Sequence, residues 1–533
     1  SKVLPIDLKT LYNICMNRGG CFLRIFCYAW AGFICTALAS CQVNHPGVKL
    51  EASFVFDPVA PTERQSVQFT DSSSGQPTSW HWDFDDGTSS SLQNPTHAFA
   101  AAGSYNVSLT ASNITSNDSI AREVEVSPPG IHRAASPALA DVKAAISSAE
   151  PGDNVIVPEG WATWSSPLLI TKGIILKGAG LGKTTIVSSY SAPNTYADIS
   201  NFLVQYIPVS PESNDPFRIT GFTFDFGDSC LGIVLGNPGM QPIDKIRIDH
   251  LELKNSKGRI FLIVGAVYGV ADNNSIDGQY VCCYADNETT WEYFTFANGT
   301  ADNFYFEDNS FSISDTAFFG GAGGRYCVRN NTFTFSNPSS GLFPWFDMHG
   351  NQGPGANLSN MGAEVYGNIL NASSSSVDLF DHRGGKAIIY ENTINTFGST
   401  GAQVREEYND SLNPPVTTSD GQPQHVSDSY YWNNWKNGAV RIEVYVTDTV
   451  NYGGSTGLVP QENRDFWQED PSFDGSSGVG FGLKTNRPIT CTVGVGYWAT
   501  DEKVLYRCTE TNVWTTYYTP YVYPHPLRTF FSD

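Results

Sequence analysis

The chain has 533 residues, of which 16% are charged, and its formal net charge is −22. A surface this acidic is unfavourable for nucleic acid and for anionic membranes, although a local cationic groove on it can still bind an acidic polymer. The 49 glycines and the many short β-branched runs between turn residues indicate an all-β protein with more than one domain.

The chain begins with a segment unlike the rest. A short basic region precedes an almost wholly apolar run over residues 25–38, and Leu-Ala-Ser then leads to Cys41. This order is typical of a secretory signal, and the run is too short for an ordinary transmembrane helix. We expect residues 1–15 to be an upstream extension of the reading frame and residues 16–40 to be the signal peptide.

The sequence Leu-Ala-Ser-Cys at the end of this segment resembles the bacterial lipoprotein box, whose cysteine is lipidated and becomes the mature N-terminus. The resemblance implies an outer-membrane lipid anchor on Cys41, since Gln42 and not Asp follows it. The alternative is a plain signal peptide in which Cys41 has no role. Export permits disulfides, and Cys491 and Cys508, which flank a short β-like segment, are the pair that we expect.

Residues 49–128 contain alternating strand patterns separated by turn residues, which predict a small β-sandwich. Trp-Asp-Phe-Asp-Asp-Gly at 82–87 is followed by Asn-Pro-Thr-His at 94–97 and by an alternating strand around Tyr105. These motifs resemble the polycystic-kidney-disease (PKD) domain, an immunoglobulin-like sandwich that serves as a spacer or binding module. The aspartates of the first motif can be interpreted as a calcium site, but we expect them to stabilise a turn.

An amphipathic helix is predicted from Ser136 to Ala149, because apolar residues recur there at helical spacing. The sequence Pro-Gly-Asp-Asn-Val-Ile-Val-Pro follows at 151–158. Together they resemble the N-terminal cap and first coils of right-handed parallel β-helices of the pectin-lyase type. Gly-Lys-Thr at 182–184 looks like the end of a phosphate-binding loop, but the first glycine is misplaced and a strand is predicted after it. We therefore expect a turn between coils and no bound nucleotide.

A repeated strand–turn–strand pattern supports the β-helix. Its copies are centred on Asn274, Asn309, Asn331, Asn368 and Asn392. Intervals of 22 and 24 residues correspond to one coil, and intervals of 35 and 37 to one coil with an inserted loop. We expect the asparagine side chains to form a hydrogen-bonded ladder. The predicted β-helix covers residues 131–465, and residues 466–533 are predicted to be a β-rich cap that closes the last coil.

The densest polar constellation lies in the C-terminal half of the predicted β-helix. Its members are Asp347, His349, Asp381, His382, Arg383, Lys386, Arg405, Glu406 and Glu407. His382 follows His349 by 33 residues and precedes Arg405 by 23, close to one coil with a loop and to one coil. Because coils stack about 4.8 Å apart, we predict that these groups converge on one face.

Such a cluster fits the cleavage of a uronate polymer by β-elimination. A cation must neutralise the carboxylate next to the acidic C–H group, and a base must remove the proton. Arg383 and Arg405 are suited to the first task, since guanidinium binds carboxylate in a bidentate manner. His382, His349 and Lys386 are candidates for the second. The prediction is a polysaccharide-binding lyase that acts on an acidic glycan.

Two other interpretations remain open. Glycoside hydrolysis needs two carboxylates near the scissile bond. The candidates are Asp347, Asp381, Glu406 and Glu407. The protein can also be a non-catalytic adhesin or tailspike-like glycan-binding protein, in which Arg383 and Glu406 form a structural ion pair between coils and His382 is half-buried.

Calcium is the one cofactor that the sequence brings into consideration. Asp225 and Asp228, on either side of a Phe-Gly turn, can provide oxygen ligands, with a solvated turn as the alternative. Ile-Asp-His at 248–250 faintly resembles a motif of pectate lyases. The Arg-x-Pro-x-x-Arg partner of that family is absent, which leaves its calcium-dependent mechanism in doubt here.

The lipoprotein interpretation can be tested directly. We expect mass spectrometry of the protein from its host, or from a bacterial expression strain, to find Cys41 as a lipidated N-terminus. A Cys41→Ser variant should then leave the membrane fraction. An intact, unmodified segment before Cys41 would contradict this prediction.

Overall fold

The structure is a computed structural model with two compact units. It describes residues 49–531 except for 193–197, 212–213, 238–240, 257, 279, 285–296, 315–317, 322, 336–343, 351–358, 373–375, 406–424 and 448–458. Within the described residues, the first unit comprises 49–60, Val67–His97 and Gly103–Glu125, and the second comprises Pro61–Ser66, Ala98–Ala102 and the chain from Val126 onwards. Among the described residues, no helix is both long enough and apolar enough to cross a bilayer.

The first unit is a two-sheet β-sandwich. One sheet contains β1 (Phe54–Asp57), β2 (Val67–Asp71) and β5 (Thr96–His97), and the other contains β3 (Ser79–Asp83), β4 (Ser89–Ser90), β6 (Gly103–Ser112) and β7 (Asn117–Val126). The buried Trp82 ring joins them, with its centroid 5.0 Å from that of Phe54 and 5.6 Å from that of Phe69.

The aspartates of the Trp-Asp-Phe-Asp-Asp-Gly motif stabilise the turn that follows β3. Asp83 Oδ1 accepts the backbone N–H of Asp85 at 3.0 Å, and Asp86 Oδ1 accepts that of Thr88 at 3.0 Å. Asp86 also lies 2.7 Å from His97 Nε2. These bonds occupy the carboxylates within the turn, as expected from the sequence.

The second unit is built around three long sheets, called A, B and C. Sheet A contains β8 (Ile131–Arg133), β9 (Asn154–Ile156), β12 (Ile175–Lys177), β15 (Phe217–Thr220), β18 (Ile243–Asp249), β21 (Val267–Asp272), β24 (Phe304–Glu307), β27 (Arg325–Arg329), β30 (Gly362–Tyr366), β33 (Lys386–Tyr390), β36 (Ser429–Trp432) and β40 (Phe466–Gln468). Sheet B contains β10 (Gly160–Trp164), β13 (Thr184–Ser188), β16 (Thr223–Asp225), β19 (Glu252–Lys254), β22 (Ser275–Gly278), β25 (Ser310–Ile313), β28 (Thr332–Phe335), β31 (Ile369–Ala372), β34 (Thr393–Thr396), β37 (Trp435–Lys436) and β38 (Val440–Arg441). Sheet C contains β11 (Leu168–Ile170), β14 (Phe202–Tyr206), β17 (Leu231–Gly236), β20 (Arg259–Val264), β23 (Tyr280–Tyr284), β26 (Phe318–Gly321), β29 (Pro344–Met348), β32 (Val377–His382), β35 (Thr400–Val404) and β39 (Val444–Val446).

The chain visits sheets A, B and C in turn, and strands of successive coils pair in parallel, whereas β38 at the end of sheet B pairs antiparallel with β37. This is a parallel β-helix, as predicted. Inward side chains stack on their counterparts in neighbouring coils: the rings of Phe311 and Phe333 lie 4.6 Å apart and nearly parallel. The Gly-Lys-Thr segment is a turn that leads into β13, so a strand follows it and not a helix.

The predicted helix is present as α1 (Leu139–Ser148), somewhat shorter than expected. It buries Val142, Ala145 and Ile146 against the first coils. Trp164 on β10 donates its indole N–H to the carbonyl of Pro137 at 3.0 Å, which ties the start of the helix to sheet B.

The asparagine ladder is present at the corner between sheets A and B. It consists of Asn274, Asn309, Asn331, Asn368, Asn392 and Asn434, all buried. Each Nδ2 donates to Oδ1 of the next asparagine, over distances between 2.9 and 3.1 Å. That Oδ1 also accepts the backbone N–H of the preceding asparagine, for example Asn309 N–H to Asn331 at 2.9 Å. The last member, Asn434, was not among the predicted copies.

The corner has a fixed backbone shape. The residue before each ladder asparagine has a positive φ, between 53° at Asn433 and 69° at Gly367. Gly, Asn and Asp occupy most of these positions because they tolerate the left-handed conformation best. Glu391, with φ of 56°, is the exception. The corner therefore combines a left-handed residue, which turns the chain, with an asparagine that satisfies buried backbone groups.

The C-terminal region forms its own small sheet and then runs back along sheet A. It contains β41 (Val479–Gly482), β42 (Gly496–Ala499), β43 (Val504–Glu510), β44 (Val513–Tyr518) and a short helix α2 (Leu527–Phe530). In the described part of the chain, 3-10 turns lie at Ile199–Asn201 and Lys484–Asn486. The expected disulfide joins Cys491 and Cys508.

Residues 518–531, called the C-terminal strap, cover the outer face of sheet A. Arg329 donates to the carbonyl of Tyr521 and Arg218 to that of Phe531, at 2.8 and 2.6 Å. The N–H of His525 donates to Glu307 at 2.9 Å. The sequence predicted only a cap on the last coil, but the strap reaches coils near the N-terminal end of the β-helix.

Charged side chains on the outer face of sheet A explain why the C-terminal strap follows this sheet. Asp249 is fully buried and accepts two hydrogen bonds from Arg218, at 2.7 and 2.8 Å. Buried charges need both an ionic partner and further hydrogen bonds, and the strap carbonyls complete those of the arginines. Asp249, the aspartate of the pectate-lyase-like motif, is thus part of a covered ion network, and its neighbour His250 lies in a turn with φ of 50°.

The asparagine ladder predicts a specific loss of stability. Asn368→Ala removes the acceptor of both the backbone N–H and the Nδ2 of Asn331, and it leaves buried carbonyls without their donor. Each stranded group should lower the free energy of unfolding by about 1–3 kcal/mol. Chemical denaturation measures the loss.

The matched control is Asn395→Ala. Asn395 donates to Asn371 at 2.9 Å in a similar side-chain pair, but this pair is exposed. Its loss should cost no more than about 0.5 kcal/mol. Equal losses for the two variants would contradict a structural role for the buried ladder.

Candidate functional site

Most of the described candidate residues lie where neighbouring strands of sheet C end. Asp347 on β29 pairs in register with Asp381 on β32, which pairs with Gln403 on β35, which pairs with Tyr445 on β39. Side chains two positions further along a strand lie on the same face. A second row on the same outer face therefore consists of His349, Arg383 and Arg405.

Backbone hydrogen bonds confirm this second row. The N–H of Arg383 donates to the carbonyl of Met348 at 2.9 Å, and that of Arg405 to the carbonyl of His382 at 3.0 Å. The two rows, together with Asp378, whose carboxylate accepts a hydrogen bond from the hydroxyl of Tyr445, form what we call the sheet C patch. It comprises Asp347, His349, Asp378, Asp381, Arg383, Gln403, Arg405 and Tyr445.

Both arginines of the patch pair with an aspartate of the preceding coil. Arg383 contacts Asp347 through Nε at 3.1 Å and through Nη2 at 2.5 Å, and Arg405 contacts Asp381 at 3.0 and 2.5 Å. Arg383 Nε also lies 3.5 Å from Asp381, so its guanidinium links the two carboxylates. The four side chains are between 8% and 17% exposed. Among the described residues, the ionic partners of Arg383 are Asp347 and Asp381; its predicted partner Glu406 lies outside them.

Burial raises the pKa of the Asp381 carboxyl, and Arg405 and Arg383 oppose this shift. The pKa of Asp378 is raised in the same direction, first by burial and also by the charge of Asp381, while the hydrogen bond from Tyr445 opposes it. Two neighbouring carboxyl groups are therefore easier to protonate than ordinary aspartates. This property is typical of acid–base sites, although ion-pair networks share it.

His382 lies on the opposite face of the same strand. Its register partners are Met348 and Val404, and all three side chains are buried in the core. The ring bonds to the hydroxyl of Tyr431 at 2.6 Å and to the carbonyl of Gly384 at 3.0 Å. Burial lowers the pKa of His382 to about 4. This position does not fit a base that acts on a polymer in solvent.

Lys386 and His349 occupy different surroundings. Lys386 is the first residue of β33 in sheet A, and its Nζ lies 3.5 Å from a carboxylate oxygen of Asp428. His349 is half-buried at the end of β29, and its Nδ1 lies 3.2 Å from the carbonyl of Gly350. Of the three predicted bases, His349 is the one in the row of the arginines.

Three predicted positions, Cys41, Glu406 and Glu407, fall outside the described residues. Asp225 Oδ1 accepts the N–H of Gly227 at 3.1 Å and the Asn255 amide at 2.9 Å. Asp228 has a left-handed backbone, with φ of 51°. Within the described ranges, no three carboxylate, histidine or cysteine side chains form a group suited to a metal. Calcium binding at this turn stays a prediction.

Sequence reasoning missed Asp378, Gln403 and Tyr445. None of them belongs to a recognisable motif, and Tyr445 is 67 residues from Asp378, to which its hydroxyl donates at 2.8 Å. Only the register of β32, β35 and β39 brings them together.

Comparisons with known proteins bear on the first unit most directly. Residues 54–127 match the PKD domain family. The predicted PKD domain is confirmed. The PKD1 domain of the Vibrio cholerae metalloprotease PrtV is 28% identical, with 15% of this chain and 99% of that chain covered and a TM-score of 0.14. A search of curated protein sequences finds no match to this chain.

Two solved enzyme structures match larger shares of this chain, at low identity and low TM-score. An alginate lyase from Paenibacillus is 14% identical, with 59% of this chain and 98% of that chain covered and a TM-score of 0.34. A family 28 exopolygalacturonase from Yersinia enterocolitica is 12% identical, with 81% and 91% covered and a TM-score of 0.32. Another matching chain comes from a structural study of carbohydrate-binding modules, and this chain covers 36% of its length. These values are too low to transfer an activity.

The ion pairs of the sheet C patch predict coupled losses of stability. Arg383→Ala leaves Asp347 and Asp381 without their shared cation. Removing one partner of a buried ion pair typically lowers the free energy of unfolding by about 3–5 kcal/mol. Asp347→Asn should also destabilise the protein, and the double variant should lose less than the sum because the two side chains form one interaction. Thermal and chemical unfolding of the three variants gives the coupling energy.

Arg464→Ala is the control for this cycle. Arg464 contacts Asp465 at 2.5 Å, but the arginine side chain is 47% exposed. Its removal should cost at most about 1 kcal/mol. Additive losses at Arg383 and Asp347 would show that the pair does not hold the two coils together.

Proposed function

We propose that this protein is exported, binds an acidic polysaccharide at the sheet C patch and cleaves it by β-elimination. The observation that carries the proposal is the row of His349, Arg383 and Arg405 on successive coils. It puts one candidate base and two guanidinium groups on the outer face of the β-helix, about 4.8 Å apart from strand to strand. A polymer lying along the helix axis would meet them in sequence.

The arginines would bind and neutralise the uronate carboxylate. Among the described residues, Arg405 uses Nε and Nη2 for Asp381, and its Nη1 would donate to the ligand. The two aspartates hold the guanidinium groups in place before substrate arrives, which reduces the entropy lost on binding. A cation placed where negative charge develops stabilises the enolate-like transition state.

His349 would remove the proton. A carbonyl oxygen only accepts, so the contact of Nδ1 with Gly350 O puts the hydrogen of the neutral ring on Nδ1. The lone pair of the neutral ring is then on Nε2, which would be the atom that accepts the proton. His382, with both ring nitrogens bonded in the core, and Lys386, at the start of sheet A, are not assigned this role.

Hydrolysis is a second candidate, and one observation favours it. Asp378 and Asp381 both have raised pKa values, and Asp347 is linked to Asp381 through Arg383. A carboxylic acid that stays protonated beside a carboxylate is the arrangement that glycoside hydrolysis requires. The patch thus contains groups for either reaction, and the products distinguish them.

The test is a panel of acidic and neutral polysaccharides incubated with the full chain. Elimination creates an unsaturated sugar that absorbs in the ultraviolet, and we expect this absorbance to rise with an acidic substrate. New reducing ends without it would indicate hydrolysis. Binding without either product would support the adhesin interpretation.

His349→Ala should lower the turnover number by about a hundredfold to ten-thousandfold, because the proton transfer loses its base. Substrate affinity and melting temperature should change little. The control is His81→Ala, which removes an exposed histidine of the PKD domain. Unchanged turnover in the His349 variant would exclude this residue as the base.

Export and membrane attachment belong to the same proposal. A PKD domain on a polysaccharide-cleaving β-helix has its substrate outside the cell, and the expected anchor on Cys41 would hold the protein at the outer membrane. The disulfide between Cys491 and Cys508 is compatible with an oxidising compartment.

A further inference from the structure

Tyr445 is the largest exposed side chain of the sheet C patch. Its backbone is fixed in a strand and its hydroxyl is fixed by a hydrogen bond. Its residue is 42% exposed, yet its hydroxyl donates to Asp378 Oδ2 at 2.8 Å. The backbone of Tyr445 belongs to β39, whereas Asp378 belongs to β32, two strands away. The side chain must therefore cross β35, the strand between them.

Gly401 makes this crossing possible. A Cβ atom at Gly401 would lie 2.7 Å from Cε1 of Tyr445 and 3.2 Å from Oδ1 of Asp378. The first distance is shorter than real Cβ contacts allow, so any side chain at this position would displace the ring. Glycine is needed here for space, because the ring lies directly against the backbone of β35.

A ring fixed in this way is prepared for a flat ligand. Its backbone is in a strand and its hydroxyl is bonded, so covering the ring with a ligand costs little conformational entropy. Binding sites commonly combine such aromatic surfaces with a few placed polar groups. The C–H faces of a sugar ring match an aromatic face of this kind, while the sugar hydroxyls can reach side chains such as Gln403.

The register places the ring relative to the arginines. Tyr445 lies one strand beyond Arg405, two beyond Arg383 and three beyond His349. At about 4.8 Å per strand, the distance from the strand of His349 to that of Tyr445 is roughly 14 Å. This is long enough for a short stretch of polymer along the helix axis.

We infer that Tyr445, anchored by Asp378 and accommodated by Gly401, is a stacking platform for a sugar ring of the bound polysaccharide. The inference rests on the proposed function and extends it. The glycan crosses the strands of sheet C, with its reacting unit at His349 and Arg383 and a more distant unit on Tyr445. Tyr445 contributes to affinity and to the preferred chain length, not to the chemical step.

The experiment compares Tyr445→Ala, Gly401→Ala and their double variant with the full-length wild type. Affinity electrophoresis with the cleaved polysaccharide gives binding, and kinetics on the polymer and on short oligosaccharides give kcat and KM. Each single variant should weaken polymer binding roughly threefold to tenfold, with kcat within about twofold of the wild type. The double variant should lose no more than either single variant, because Gly401→Ala acts by displacing the same ring. Oligosaccharides too short to reach Tyr445 should show no difference.

The control is Tyr523→Ala. Tyr523 is 50% exposed, and its hydroxyl also donates to an aspartate, Asp308, at 2.9 Å, but it lies in the C-terminal strap. Its removal should leave polysaccharide affinity unchanged, and melting temperatures identify any variant that is merely unfolded. A folded Tyr445→Ala variant with wild-type affinity and chain-length preference would overturn this inference alone. A wild-type protein that neither binds nor cleaves any member of the panel would overturn both it and the proposed function.

Discussion

Parallel, in-register stacking of the coils is the constraint on which the rest of the second unit depends. Each coil presents its residues directly above those of the previous coil, about 4.8 Å away, so a residue type that recurs at one position becomes a continuous row. Buried asparagines then form a ladder, phenylalanines form stacks and charged residues form chains of ion pairs. The same rule decides which face a side chain occupies, because a shift of one residue moves it from the core to the solvent.

The ion pairs on sheet A and those on sheet C differ in how far solvent reaches them. On sheet A, arginines and carboxylates such as Arg218 and Asp249 pair with each other, and carbonyl oxygens of the C-terminal strap accept further hydrogen bonds from the arginines. On sheet C, Arg383 and Arg405 form similar pairs with aspartates, but the side chains remain between 8% and 17% exposed. An ion network that is already covered by its own chain is structural. A network that solvent still reaches is the one that can exchange part of its contacts for a ligand.

The paired aspartates affect the proposed chemistry in two opposite ways. They hold the guanidinium groups in a defined geometry, which favours binding of a planar carboxylate. They also place negative charge beside the position of an anionic substrate, and this repulsion weakens binding unless a carboxyl group is protonated. The raised pKa values of Asp378 and Asp381 reduce that repulsion as the pH falls, because their protonated forms then become populated.

Local features were readable from the sequence alone. The PKD motif, the helix before the first coil, the disulfide pair and the asparagine ladder depend on residue types at short, regular intervals, so the pattern itself indicates the contact. The position of His382 could not be read in this way. Its interval from His349 was close to a whole number of coils, but an inserted loop made the count uncertain by one residue, and that residue decides between core and surface. The pairing of Arg383 with Asp347, the platform at Tyr445 and the strap over sheet A join residues between 36 and several hundred positions apart. Such contacts depend on the register of stacked coils and on where the chain returns, and only the tertiary structure determines both.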